Sequence, residues 1–199
     1  MGYLGLFYKH NIGEVLTKQE LLSFDIYSNV LWNIRLPRIL LTFMVGAALS
    51  VSGAVLQGIF RNPLVDSYIL GISSGAAFGA SLAILYSLSF VNIYAFVGGI
   101  IAVVITYVIA SSNKQLSTIT VILSGMIVSG VFIALLTMVQ YISNPYKLQT
   151  IIQWTMGNLH SASWAEVKQA VLPITLTVCC SFLYRWRLNL LALGDDATH

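Results

Sequence analysis

An all-α, polytopic membrane fold, with about five transmembrane helices and one short re-entrant or interfacial helix, is predicted by three observations. The 199 residues are 57% hydrophobic and 9% charged, whereas soluble domains carry roughly a quarter charged residues. Ile39 to Phe60 is a run of 22 residues without an ionisable side chain, and about 20 suffice to cross hydrocarbon at ~1.5 Å per residue. Small residues recur four apart inside the apolar stretches, the pattern that lets helix backbones approach closely.

The elements follow in chain order. Residues 1–34 mix Lys9, Glu14, Lys18, Glu20 and Asp25 with aromatics, and read as a polar or interfacial segment that does not span. No basic region followed by a long apolar core opens the chain, so no cleaved signal is expected. The membrane domain takes in residues 35–199. Its first span, 39–60, carries Gly46, Ser50, Ala54 and Gly58 on one face, an expected seat for a neighbouring helix. Between Asp66 and Lys114 lie 47 uncharged residues, which predict two spans, 67–89 and 94–112. Gly71, Gly75, Gly79 and Ala83 line one face of the former, and Gly98, Ala102, Thr106 and Ala110 one face of the latter. A fourth span, 116–141, presents Gly125, Ser129 and Gly130 and stops before the turn signal Asn144-Pro145. Residues 149–159 are too short to cross and form the short helix. A fifth span, 167–184, holds Pro173 near its start, where a missing backbone donor does least harm. These small-residue faces read as packing surfaces in preference to a substrate path.

Composition and spacing also exclude functions. The net charge of +3 is scattered at span ends, with no basic run to follow a phosphate backbone, so nucleic acid is not expected as a partner and membrane lipid is. Cys179 and Cys180 are adjacent in an apolar segment and read as small lipid-facing or core residues. His10, His160 and His199 lack ligand spacing, so no metal site is expected. No glycine-rich phosphate loop and no paired nucleophile and base appear, which argues against catalysis, against a cofactor and against ATP binding by this chain. Charge alone leaves the orientation open: Arg61, Lys114, Arg185 and Arg187 balance Arg35, Arg38, Lys147 and Lys168 across a five-span bundle.

Four ordered blocks resemble the FecCD-type permease family, the membrane subunits of ATP-driven importers for iron-siderophores, haem and vitamin B12. They are LWNIRLPRILLTFMVGAALSVSGAVLQGIFRNPLVDSYILGISSGAAFGA (Leu31 to Ala80), TVILSGMIVSG (Thr120 to Gly130), LQTIIQWTMGNL (Leu148 to Leu159) and NLLALGDDA (Asn189 to Ala197). The resemblance implies a subunit that pairs with a second permease copy or paralogue, two cytoplasmic ATP-binding subunits and an extracytoplasmic substrate-binding protein. It implies residence in the cell membrane, with Arg61 to Asp66 and Leu193 to Asp196 on the cytoplasmic side and Arg35 to Arg38 outside. Family members usually have about ten spans, so the chain resembles an N-terminal half in which the usual first helix is missing or eroded. A non-transporting half that serves as a membrane interaction partner is the alternative.

Site residues follow from the resemblance. Gly194, Asp195 and Asp196 open the loop that the family docks into its ATPase, where a carboxylate caps a helix or meets basic groups. Arg61, Asn62, Pro63 and Asp66 form a turn that serves as a cytoplasmic gate or as an anchor and helix stop. Ser117 and Thr118 either line that gate or cap the fourth span. Arg35 and Arg38 either meet carboxylates of the binding protein or anchor in headgroups.

Overall fold

The computed structural model describes residues 26–63, 65–66, 68–112, 117–160 and 162–193. Among these, seven helices follow one another and no strand occurs. They are α1 (Ile26–Phe60), α2 (Ile72–Leu85), α3 (Val91–Ser111), α4 (Thr118–Ile142), α5 (Pro145–Met156), α6 (Trp164–Leu183) and α7 (Arg185–Leu193). Four of them, α1, α3, α4 and α6, are long and apolar enough to cross a membrane, and α2 is a shorter apolar helix of 14 residues. The described residues pack as two units, one of 26–46 with 159–175 and one of 47–158 with 176–193.

The first unit is organised by a local defect. Leu31–Arg35 is a π turn in which the Leu36 amide donates to the Leu31 carbonyl. In that register the next donor would be residue 37, but Pro37 has no N–H. The Trp32 carbonyl is thereby released, and it accepts the Trp164 indole N–H at 3.0 Å. Leu41, Ala162 and Val167 form the core beside this bond, with Met44, Val45, Trp164 and Ala170 against them.

Helix α6 opens on a capping box. The Glu166 carboxylate accepts the Ser163 amide at 2.8 Å, and the Ser163 hydroxyl accepts the Ala165 amide at 3.2 Å. This start at Trp164 places Pro173 well inside the helix, a correction to its expected place near the beginning of the span. The boundary expected at residue 34 likewise falls inside continuous α1.

The second unit is built on close backbone contact. A Cβ on Gly75 would lie 2.6 Å from the Gly98 carbonyl oxygen, and one on Gly79 would lie 2.3 Å from that of Tyr94. Only glycine lets α2 and α3 approach this far. Around the crossing Ala102, Val128 and Phe132 are buried with Phe78 packed on them, and the Phe78 and Phe132 rings are 5.7 Å apart. The buried face of α4 is Ser124, Gly125, Val128, Phe132 and Val139. Gly130 is not part of it: a Cβ there would meet nothing within 4 Å.

Helix α2 is shorter than the expected 67–89 at both ends. Gly71 adopts φ +75 at its N-cap, and Ser87 adopts φ 53 just past its end, so left-handed residues close it on each side. Its last carbonyl, on Leu85, accepts the Lys147 ammonium at 2.5 Å, a cation at the negative end of the helix. The Lys147 residue sits in the first turn of α5, which begins where Asn144 caps the Lys147 amide at 2.9 Å with Pro145 next in line. Lys147→Met, which keeps the stem and deletes the donor, is expected to lower unfolding stability by about 1 kcal/mol. Denaturant titration in mild detergent checks this, and a change indistinguishable from zero would discount the contact.

Candidate functional site

The residues expected at the cytoplasmic gate fall on one irregular connection between α1 and α2. Helix α1 ends in a Schellman-type closure, the Asn62 amide donating to Gln57 O at 3.2 Å and the Arg61 amide to Gly58 O at 3.3 Å. Arg61 therefore occupies the left-handed position, φ 48, that usually belongs to glycine. The Gln57 side chain donates to Pro63 O at 3.1 Å and holds the turn against the helix it terminates. Past the turn Val65 is buried, and the Asp66 carboxylate accepts the Tyr68 amide at 2.5 Å.

The connection then docks on α3 and α4. The Thr106 hydroxyl of α3 donates to Leu70 O at 3.2 Å. Gly125 of α4 sits so close that a Cβ on it would lie 2.1 Å from Ile69 O, and one on Gly71 would lie 3.3 Å from Ser129 Oγ. Backbone outside a helix is tolerated among apolar helices only where protein satisfies it, and these contacts supply that cover. Ser117 caps α4 through the Thr120 amide at 3.1 Å and also meets the Thr120 hydroxyl at 2.8 Å. Thr118 is the first residue of the helix, two turns before Gly125.

The other expected residues lie elsewhere. Arg35 is exposed at the end of the π turn. Arg38 donates through Nη2 to His160 O at 2.5 Å, and its buried Nε has no hydrogen-bond partner. Gly46 on α1 has room for a Cβ on every side within 4 Å; Ala54 and Gly58 line an apolar groove with Val178, Phe182 and Arg185, whose guanidinium lies 4.1 Å from the Phe182 ring centroid. Ser50 is exposed on the same helix. Gly194, Asp195 and Asp196 lie outside the described residues.

Sequence reasoning missed three polar contacts. The Ser-x-x-Glu spacing at 163–166 precedes an apolar run and was readable as a capping box. Lys147 to Leu85 and Thr106 to Leu70 join residues 62 and 36 apart, and no local pattern announces them.

Comparison with known proteins places this geometry. Residues 5–199 match the FecCD transport family. The chain is 39% identical over 189 residues to the molybdate import system permease protein MolB of Haemophilus influenzae, across 92% of this chain and 56% of MolB. It is 38% identical over 173 residues to the cobalamin import system permease protein BtuC of Halobacterium salinarum, across 85% of this chain and 47% of that protein. A solved inward-facing conformation of a metal-chelate-type ABC transporter superposes with a TM-score of 0.78 at 39% identity, over 87% of this chain and 56% of that one. The chain thus spans about half the length of the curated relatives it matches. With its membrane-length helices and a match over almost all of its residues, it is a multi-pass membrane protein belonging to the FecCD transport family.

Proposed function

We propose that this chain is the permease part of an ATP-driven importer for metal-chelate substrates of the iron-siderophore, haem or cobalamin kind. The observation that carries the reading is the family match over residues 5–199. The likeness to a metal-chelate-type ABC transporter and to the cobalamin permease supports the substrate class, and the likeness to MolB extends it to an oxyanion. The mechanism is alternating access. Closure of separate cytoplasmic ATPases on a paired permease subunit is transmitted through Gly194, Asp195 and Asp196, and the turn of Arg61, Asn62, Pro63 and Asp66, together with Ser117 and Thr118, opens and closes the inner end of the path.

Arg35 and Arg38 serve on the outer side, where rim guanidinium groups steer the carboxylates of a substrate-binding protein. Gly75 and Gly79 with their partners on α3, and Gly71 with its partners on α4, give the rigid core against which the gate works.

Uptake is the test. A full-length permease that contains this chain, expressed in cells lacking their own, should restore accumulation of radiolabelled ferric siderophore, haem, cobalamin or molybdate. Failure with all four substrates, in the presence of matching ATPase and binding protein, would overturn the reading. Replacing Asp195 and Asp196 together by Asn in that permease is expected to weaken ATPase co-purification by about tenfold; an undiminished yield would remove the coupling role from these carboxylates.

A further inference from the structure

Thr106 behaves unlike three other helical threonines. Thr42, Thr137 and Thr150 each return their hydroxyl to the carbonyl four residues back in their own helix, the ordinary arrangement. Thr106, 1% exposed, instead donates across to Leu70 O, 36 residues earlier in the chain. The carbonyl it meets lies just before Gly71, whose φ of +75 turns the backbone out of helical register, so no α2 amide takes up the Leu70 oxygen. The neighbouring inward positions of α3, Gly98, Ala102 and Ala110, offer no side-chain donor. The hydroxyl on that face stands at the level where the backbone has left the helix.

We propose that Thr106 is a positioning residue that pins the connection between α1 and α2 at Leu70, so that the turn of Arg61, Asn62, Pro63 and Asp66 moves about a fixed point while α2 remains docked on α3. The proposal rests on the reading of the Arg61–Asp66 turn as a gate. Leu70 is held from one side by the Thr106 bond, and Ile69 is seated from the other by Gly125, whose Cβ position is 2.1 Å from the Ile69 oxygen. Gly71 follows at once, and its left-handed conformation turns the chain from the pinned carbonyl into α2. On the gate side of the pin, Ile69 N donates to Asp66 O at 3.4 Å, the Tyr68 amide to the Asp66 carboxylate, and Val65 N to Asn62 O at 3.3 Å. The Thr106 bond ties the connection to α3, and movement beyond Leu70 would strand its buried hydroxyl in an apolar setting.

Hydrogen exchange of the full chain in lipid nanodiscs tests the pin without requiring transport. Thr106→Val keeps the shape and removes the donor, and amides 68–71 are expected to exchange about fivefold to tenfold faster. Thr106→Ser restores the hydroxyl and should return them to the unsubstituted rate. Unchanged exchange in Thr106→Val would overturn the proposal. So would an equal acceleration in the middle of α3 and α4, because that would mark general loosening. Uptake by a full-length permease carrying Arg61→Ala reports separately on the gate: unaltered uptake together with the fast exchange of Thr106→Val would remove the gate and keep the pin.

Discussion

Gly79→Val is expected to lower the unfolding free energy by about 3 kcal/mol, at the upper end of what overpacking costs. The reason lies in what a Cβ at this position would meet. The Tyr94 carbonyl oxygen is 2.3 Å from it and the Gly98 Cα 3.3 Å, both of them backbone atoms of α3. A flexible side chain could rotate aside, whereas a helix backbone has to move as a whole. On the facing helix the arrangement is reciprocal, since a Cβ on Gly98 would lie 2.4 Å from Gly75 O. Relief at one point therefore opens the whole crossing and loosens Phe78 from Phe132. Gly46→Val is the matched control: the substitution is the same, but nothing lies within 4 Å of the new Cβ, and its effect should stay within about 0.5 kcal/mol. Reversible denaturation of both variants in mild detergent checks the pair. Equal losses would show that α2 and α3 are not in the close contact described.

The same crossing shows how far the residues alone could be read. Period-four spacing of Gly98, Ala102, Thr106 and Ala110 marks the inward face of α3, and all four are buried. The periodicity was sufficient there because a helix that packs on backbone must keep one face small along its length. It misled at Gly130, one residue from the true face, because a run such as Gly125, Ser129, Gly130 fits two overlapping stripes and only the partner helix selects between them. Span limits failed for a different reason. Hydropathy continues smoothly from 67 to 89, yet α2 covers 72–85, since its ends are set by the left-handed conformations of Gly71 and Ser87 and not by polarity. At the candidate gate the turn at Arg61-Asn62-Pro63 was legible from Pro63 and from the charge. Its support was not, because Gln57 to Pro63, Gly125 to Ile69 and Thr106 to Leu70 depend on how three separate helices come together.

That support gives the second large effect, which falls on function more than on global stability. Gly125→Ala places a methyl group 2.1 Å from Ile69 O and 3.2 Å from Leu70 Cα. The obstructed atoms belong to an irregular connection with local bonds of its own, so the connection can shift while α2, α3 and their glycine contacts stay in place. Stability should fall by about 1 kcal/mol, far less than for Gly79→Val. The shift nevertheless carries Leu70 away from Thr106 and displaces the turn that holds Arg61, Asn62 and Pro63. In a full-length permease uptake should fall by about tenfold, the consequence of moving a two-state gate by about 1.4 kcal/mol. Gly130→Ala on the same helix, where the added methyl meets nothing within 4 Å, should transport normally. Initial uptake rates measured beside detergent melting curves separate the two effects. If Gly125→Ala transports as Gly130→Ala does, then the seat of Ile69 on α4 has no part in gating, and the connection is held for folding alone.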